Sequence, residues 1–452
     1  MKKNVLRIIS INLSIIVMIV LMAQSVYAIS DKNDVYYDDC VCAYKLSEHS
    51  MDNTLQVNKA YKYFITSIDP EWKNLQTFGE MKNISQIPIE TVKGMTTDVL
   101  VETVLSYPPF PVSFVYDDPR YLMESIEDFN GIIELFKRDD SATILLKKYV
   151  EINVQKAQLD FNERTRMDHI EVLLANKNIW SKLSSAELTC LANIAVNKYN
   201  EKLLTGDFSE QGSAAFFNTL DMSDKEIVLL LKLDISSDLF KYKSVGSGVL
   251  IEIPEENLRT PKDTDIINME PLSSDNIGVR DQVLNNNQNK LDTGIKSVNG
   301  VNGFVYTHNG TPVPVIIGTD TVQHPHEYLY YLSWVTTNYP NATFIYGANN
   351  ANNCHSWAWY WNCTANTIWM DNPSSYMTDG SWKLVTGAGL WDDNVLYTVS
   401  SGVISHSGIV EVPGSGNVLP NVISKWGTMA VVYHSVYYCP WPHSYSLWRR
   451  TY

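Results

Sequence analysis

The chain has 452 residues, 45% of them hydrophobic and 11% aromatic, and a formal charge of −15. That acidity disfavours phosphate backbones and anionic lipid surfaces, and so argues against nucleic acid as a partner. Six cysteines are too few for a disulfide scaffold of this size; stability must come from packed cores, of which the length allows two or three.

The first residues are basic, with Lys2, Lys3 and Arg7, and an almost wholly apolar run follows from Ile8 to Met22. A membrane-spanning helix needs about 20 apolar residues. Here the run weakens at Ala23-Gln24-Ser25 and ends on the small-residue pattern Val26-Tyr27-Ala28, as in a signal peptide cleaved after Ala28. The alternative is an uncleaved N-terminal anchor. Cleavage would remove three positive charges and leave a mature chain of about −18, secreted or held at the cell surface. No later stretch is long and apolar enough to span a bilayer, so no stable membrane insertion is expected after cleavage. Cys40 and Cys42 have the wrong spacing for a zinc knuckle or a thioredoxin motif, and read as a local disulfide or a feature of the leader.

From about Met95 the pattern turns helical. Thr97-Asp98 can cap a run with Val99, Leu100, Val104 and Leu105 on one face, stopped by Pro108-Pro109-Phe110-Pro111. Apolar residues then recur at steps of three and four from Tyr121 to Phe136 and from Leu145 to Val154. Further helical segments are expected at 170–174, 186–199 and 225–239. Residues 29–250 thus form a helical, acidic region. Residues 251–300, rich in Asn, Asp, Ser and Pro, show no sustained period and read as a linker.

Past residue 300 the alphabet changes to Val, Tyr, Trp, Thr and Gly in short runs, such as Gly303–Thr307 and Pro314–Ile317, which are strands. Ten of the twelve tryptophans follow Tyr331, which calls for an aromatic core or an aromatic-lined cleft. His324-Pro325-His326-Glu327 reads as a helix start rather than as a ligand cluster. Residues 301–452 hold seven acidic and four basic side chains, so nearly all the excess charge lies upstream.

Candidate chemistry is confined to the last hundred residues. Asn352-Asn353-Cys354-His355-Ser356-Trp357 feeds Cys354 into a helix start, where unpaired N–H groups and the helix dipole favour a thiolate. Gly402 to Val412 is a strand with His406 near its start, a residue able to take a thiol proton and return it to a leaving amine. Asn421 to Gly427 is the expected neighbouring strand, able to present a polar group to the far imidazole nitrogen. An oxyanion hole would use the Cys354 amide and a donor from Asn349 to Asn353. A zinc site built on Cys354, His355 and His406 lacks an evident fourth ligand, so neither metal nor cofactor is expected.

A cysteine at a helix start, then a strand with His-x-Gly-Ile-Val, then a second strand with a polar residue, resembles the papain-like cysteine hydrolases of bacterial cell-wall type, the NlpC/P60 and CHAP families. The resemblance covers roughly residues 324–452. It implies Cys354 as nucleophile, His406 as base, and Ser424 or Lys425 at the orienting position. This chain has Asn353-Cys354-His355 where those families usually have Asp-Cys-Ser/Gly. A lysine has no acceptor for an imidazole N–H, and His434 is an alternative orienter. The segments around Asn353-Cys354-His355, Ser424-Lys425-Trp426-Gly427, Tyr433-His434 and Cys439-Pro440 also resemble an uncharacterised family of secreted Gram-positive proteins.

The expected fold class is α+β, an all-α N-terminal region followed by an antiparallel-sheet, papain-like domain at 301–452. The function expected from the resemblance is that of a secreted thiol-dependent amide hydrolase or acyltransferase acting on a peptide or peptidoglycan substrate. Two alternatives stand beside it: a catalytically silent cell-surface binding module with an aromatic cleft, in which Cys354 is structural, and a secreted toxin-like deamidase. A Cys363–Cys439 disulfide is compatible with export, and the oligomeric state is left open.

Overall fold

Side-chain caps decide where the N-terminal helices begin. Thr96 caps α1 (Thr97–Leu105), one residue before the start read from sequence, by accepting from the Val99 amide at 3.4 Å. Helix α2 (Ser141–Glu151) follows, then α3 (Phe161–Ala175), whose cap Asp160 accepts from the amides of Asn162 and Glu163. Helix α4 (Ser185–Thr205) opens with a Ser184/Glu187 capping box and ends at Gly206, which takes the left-handed conformation at φ 68°. The periodic stretch at 121–136 is not one helix. It is split into Arg120–Ser125 and Asn130–Leu135 by the extended Phe129, at ψ 117°, and the Asn130 side chain accepts from the Ile87 amide at 3.2 Å. Helix α3 is buried on all sides from Met167 to Ala175 and forms the centre of this half, with α2 packed against it.

The computed structural model describes residues 59–116, 120–220, 301–318, 325–346, 351–363, 365–399, 402–416, 418–441 and 444–452, all within one compact unit, Leu55–Tyr452. The signal segment, Cys40, Cys42, the helix expected at 225–239 and the linker lie outside the described residues. Among the described residues no helix is long and apolar enough to cross a membrane.

The C-terminal half is α+β with antiparallel pairing throughout. Strands β1 (Val301–Tyr306), β2 (Pro312–Ile317) and β4 (Ile368–Trp369) form a small sheet in that order. The main sheet has the order β3-β9-β8-β7-β6-β10-β5, with β3 Thr343–Tyr346, β5 Trp382–Val385, β6 Asn394–Thr398, β7 Ile404–Val412, β8 Asn421–Lys425, β9 Val431–Ser435 and β10 Ser444–Arg450. Two helices accompany it: α5 (Pro325–Asn338), which begins at the proline of the Pro-His-Glu segment, and α6 (Cys354–Trp359).

Strand register divides the main sheet into two buried faces. Val410 pairs with Val422, which pairs with His434, so His406, Val410, Val422, Ser424 and His434 share one face. Ser407, Ile409, Ile423, Lys425 and Val431 share the other. Helix α6 packs on this second face, where Trp357, Trp359, Leu396, Ile409 and Trp448 form a core with Val305, Val313 and Val315 of the small sheet.

The first face is covered by residues far away in sequence. The Tyr116 hydroxyl donates to the Pro440 carbonyl at 2.8 Å, the Phe78 amide to the Tyr437 carbonyl at 3.2 Å, and the Thr428 amide to the Phe114 carbonyl at 3.1 Å. Gly427 makes the last contact possible. It sits at φ 53°, and a Cβ there would lie 2.1 Å from the Phe114 carbonyl oxygen. Glu327 of α5 adds a buried ion pair with Arg164 of α3 at 3.0 Å and accepts from the Ser209 hydroxyl at 3.1 Å.

Candidate functional site

Cys354 is the first residue of α6, as the sequence suggests, and Asn353 is its cap. The Asn353 carboxamide accepts from the Ser356 amide at 3.1 Å and the Met370 amide at 3.2 Å, and donates to the Met370 carbonyl at 2.7 Å. The Asn352 amide group donates to the Asn366 carbonyl at 2.8 Å. These two side chains tie the helix start to the chain around β4. The Cys354 side chain has no exposed surface.

The neighbour His355 faces the sheet. Its Nδ1 lies 2.8 Å from the Ser407 hydroxyl of β7, and the same hydroxyl accepts from Trp359 Nε1 at 2.8 Å. One serine thus joins both ends of α6 to the strand beneath it. Burial pushes the His355 imidazole down to about 3, so it is neutral in the folded chain.

A second group of the same composition lies on the opposite face. Trp426 Nε1 donates to the Ser424 hydroxyl at 3.0 Å, and Ser424 lies 2.7 Å from His434 Nε2. His434 Nδ1 lies 2.8 Å from the Ser435 carbonyl. A carbonyl only accepts, so Nδ1 carries the ring hydrogen and Nε2 accepts from the serine. Burial pushes His434 down to about 4, which keeps this tautomer. The expected pairing of Ser424 and His434 with His406 is replaced by a pairing with each other.

His406 stands on the Ser424 face, stacked on Trp441 at 3.5 Å and 2° between planes. Its Nε2 has no hydrogen-bond partner, and burial, reinforced by His355 and His434, holds the ring well below its ordinary range. Helix α6 lies across the sheet, on the Ser407 side. Successive strand residues point to opposite faces, so Ser407 meets α6 while His406 points to the Ser424 side. Lys425 shares the α6 face, and its Nζ donates to the Gly427 carbonyl at 2.6 Å.

Among the described cysteines none is joined to another, Cys363 and Cys439 included, and burial pushes the Cys439 thiol up to about 12. Two buried polar groups in the helical half went unread in the sequence. The Tyr149 hydroxyl and Lys202 Nζ both donate to Glu171 at 2.8 Å, and Asp168 accepts from the Ser113 amide at 2.8 Å while burial pushes it up to about 7. The signal available for the first was a Glu and a Lys on the apolar stripes of α3 and α4. Ser407 also went unread, although it follows His406 directly on the strand.

Chemically, each Trp–Ser–His group places a hydroxyl against a neutral imidazole, the local geometry of a nucleophile and its base. Ser407 and Ser424 are both completely buried, and each hydroxyl is already committed to an indole and an imidazole. They therefore act as internal fasteners. Compared with family models, curated proteins and solved structures, the chain has no match.

Proposed function

We propose that this chain is an exported cell-surface protein that binds a wall glycan or peptide without cleaving it, and that Cys354 is a structural thiol. The observation that supports the reading is the burial of the two key side chains. Cys354 is 0% and His406 1% exposed, so neither the sulfur nor the imidazole is open to a substrate. A thiol hydrolase needs the sulfur open to substrate and within reach of its base. A sulfur without exposed surface does not meet the first condition, whereas a binding module requires neither.

The test is the rate of iodoacetamide alkylation of Cys354 against pH in the native protein, with the modified site found by mass spectrometry. The expected result is a thiol that reacts only as fast as the protein unfolds, with the same profile in His406→Ala once its stability is allowed for. A rapid native reaction with an apparent pKa well below the ordinary value of about 8.5, abolished in the variant, would overturn the proposal. Cosedimentation with insoluble peptidoglycan tests the binding itself; failure to pellet with it would remove wall polymer as the ligand.

A further inference from the structure

Among the described residues the small sheet ends in an unguarded edge. Strand β1 is its outer strand among the described residues, and its register with β2 is fixed: Val305 pairs with Val313, Phe304 with Pro314 and Tyr306 with Pro312. Just beyond, the Thr307 amide donates to the Thr311 carbonyl at 3.0 Å, so Thr307–Thr311 is a hydrogen-bonded pair. In an antiparallel ladder such pairs alternate with non-bonded ones. Val305 and Gly303 therefore bond to β2, while Asn302, Phe304 and Tyr306 turn their backbone groups the other way. Pro312 and Pro314 enforce this choice, since neither has an N–H to give to Tyr306 or Phe304. Three amides and three carbonyls thus face outward along one line.

The side chains of the same residues are open to solvent, Phe304 at 58% and Tyr306 at 64%. Edge strands are normally protected by a charge, a proline or a bulge. Strand β1 has none of the three, and residues 301–318 contain no Asp, Glu, Lys or Arg at all in a chain of net charge −15. The hairpin is therefore a place where two copies of an otherwise repelling molecule can approach without bringing like charges together.

We propose that β1 is a self-association edge, pairing antiparallel with β1 of a second copy. A two-fold axis normal to the sheet keeps like faces together and sets Phe304 opposite Phe304 of the other copy, with Asn302 opposite Tyr306. That register uses every outward group, giving six backbone hydrogen bonds and one continuous sheet across the pair. It also covers the exposed rings of Phe304 with each other, a favourable cross-strand pair. The contact is small, so the dimer is weak and concentration-dependent.

The experiment is sedimentation equilibrium of the wild-type protein from about 1 to 200 µM, beside Phe304→Pro and Phe304→Lys. Phe304→Pro removes one outward N–H and no bond to β2, so the fold is kept, as circular dichroism and the melting temperature will show. Losing two symmetry-related bonds weakens the dimer at least about tenfold. Phe304→Lys places like charges directly opposite and abolishes it. A wild-type protein that stays monomeric throughout, or a dimer indifferent to both substitutions, overturns the proposal. So does a monomer whose edge instead takes up an added extended peptide or glycan in a Phe304-dependent way, since that assigns the edge another occupant.

Discussion

Gly427→Ala tests the joint between the helical half and the sheet. The residue sits at φ 53°, a region in which a side chain costs about 1 to 2 kcal/mol. Its new Cβ would fall 2.1 Å from the Phe114 carbonyl oxygen and 2.7 Å from that of Val115. Both obstacles are backbone, so the turn and the 113–115 segment must separate by an ångström or more. Separation breaks the Thr428 N–H to Phe114 bond, for about another 1 kcal/mol, and loosens the buried Phe114, Val115 and Tyr116. The sum is roughly 3 to 5 kcal/mol, and a fall in melting temperature of roughly 5 to 10 °C. Gly206→Ala is the matched control: φ is 68° there, but nothing lies within 4 Å of the added carbon, so only the conformational cost of about 1 kcal/mol remains. Denaturant unfolding of the two variants isolates the contact. Equal destabilisation by both would show that Gly427 is needed for its dihedral angle alone and that the halves are not docked through it.

Ser424→Ala leaves His434 Nε2 and Trp426 Nε1 buried without a partner and should cost about 2 to 4 kcal/mol, with Cys354 alkylation in the folded state unchanged; a loss under 0.5 kcal/mol in urea unfolding would show that the fastener holds nothing. Acid should weaken the fold. His355 is held at about 3, and His169 and His434 at about 4, against an ordinary 6.5, so the unfolded chain binds more protons than the folded one below pH 6.5. Their stabilisation is complete above about pH 6.5 and is lost as pH falls, by about 2 kcal/mol per histidine at pH 5. Asp168, raised to about 7, acts in the other direction: its contribution is fully present at pH below the unfolded carboxyl value and is lost as pH rises toward 7, which offsets roughly one histidine. A lower melting temperature at pH 5 than at pH 7.5 is expected, and a flat profile between them would contradict the burial of these rings.

Local signals were legible where local physics decides. The capped start near Thr97, the Pro325 start of α5 and the cysteine at the start of α6 depend on residues within one turn of each other. Sheet faces were not. A strand announces its core face by alternating apolar and polar residues, but β7 is buried from Ser405 to Val410 on both sides, and its sequence Ile-Ser-His-Ser-Gly-Ile-Val mixes polar and apolar positions on each. Nothing in that string says whether α6 covers His406 or Ser407. Nor could the approach of Phe114 to Gly427, more than 300 residues apart, be read from a glycine that looks like any turn glycine.

The polar residues buried in the sheet acquire a reason from the same lack of alternation. When both faces of a strand are covered, slipping its register by one residue exchanges one apolar surface for another at little loss, so hydrophobic pattern alone specifies pairing weakly. A serine bonded to both an indole and an imidazole cannot be exchanged in that way, because any slip leaves three buried polar groups unpaired. Ser407 fixes α6 over β7, and Ser424 fixes β8 against β9, each on its own face. Together they fix the helix carrying Cys354 on β7 and β8 beside β9. Serine and histidine on neighbouring strands therefore serve here as specificity elements of the fold, and their resemblance to catalytic residues follows from the shared requirement that a hydroxyl and a neutral imidazole meet at hydrogen-bond distance.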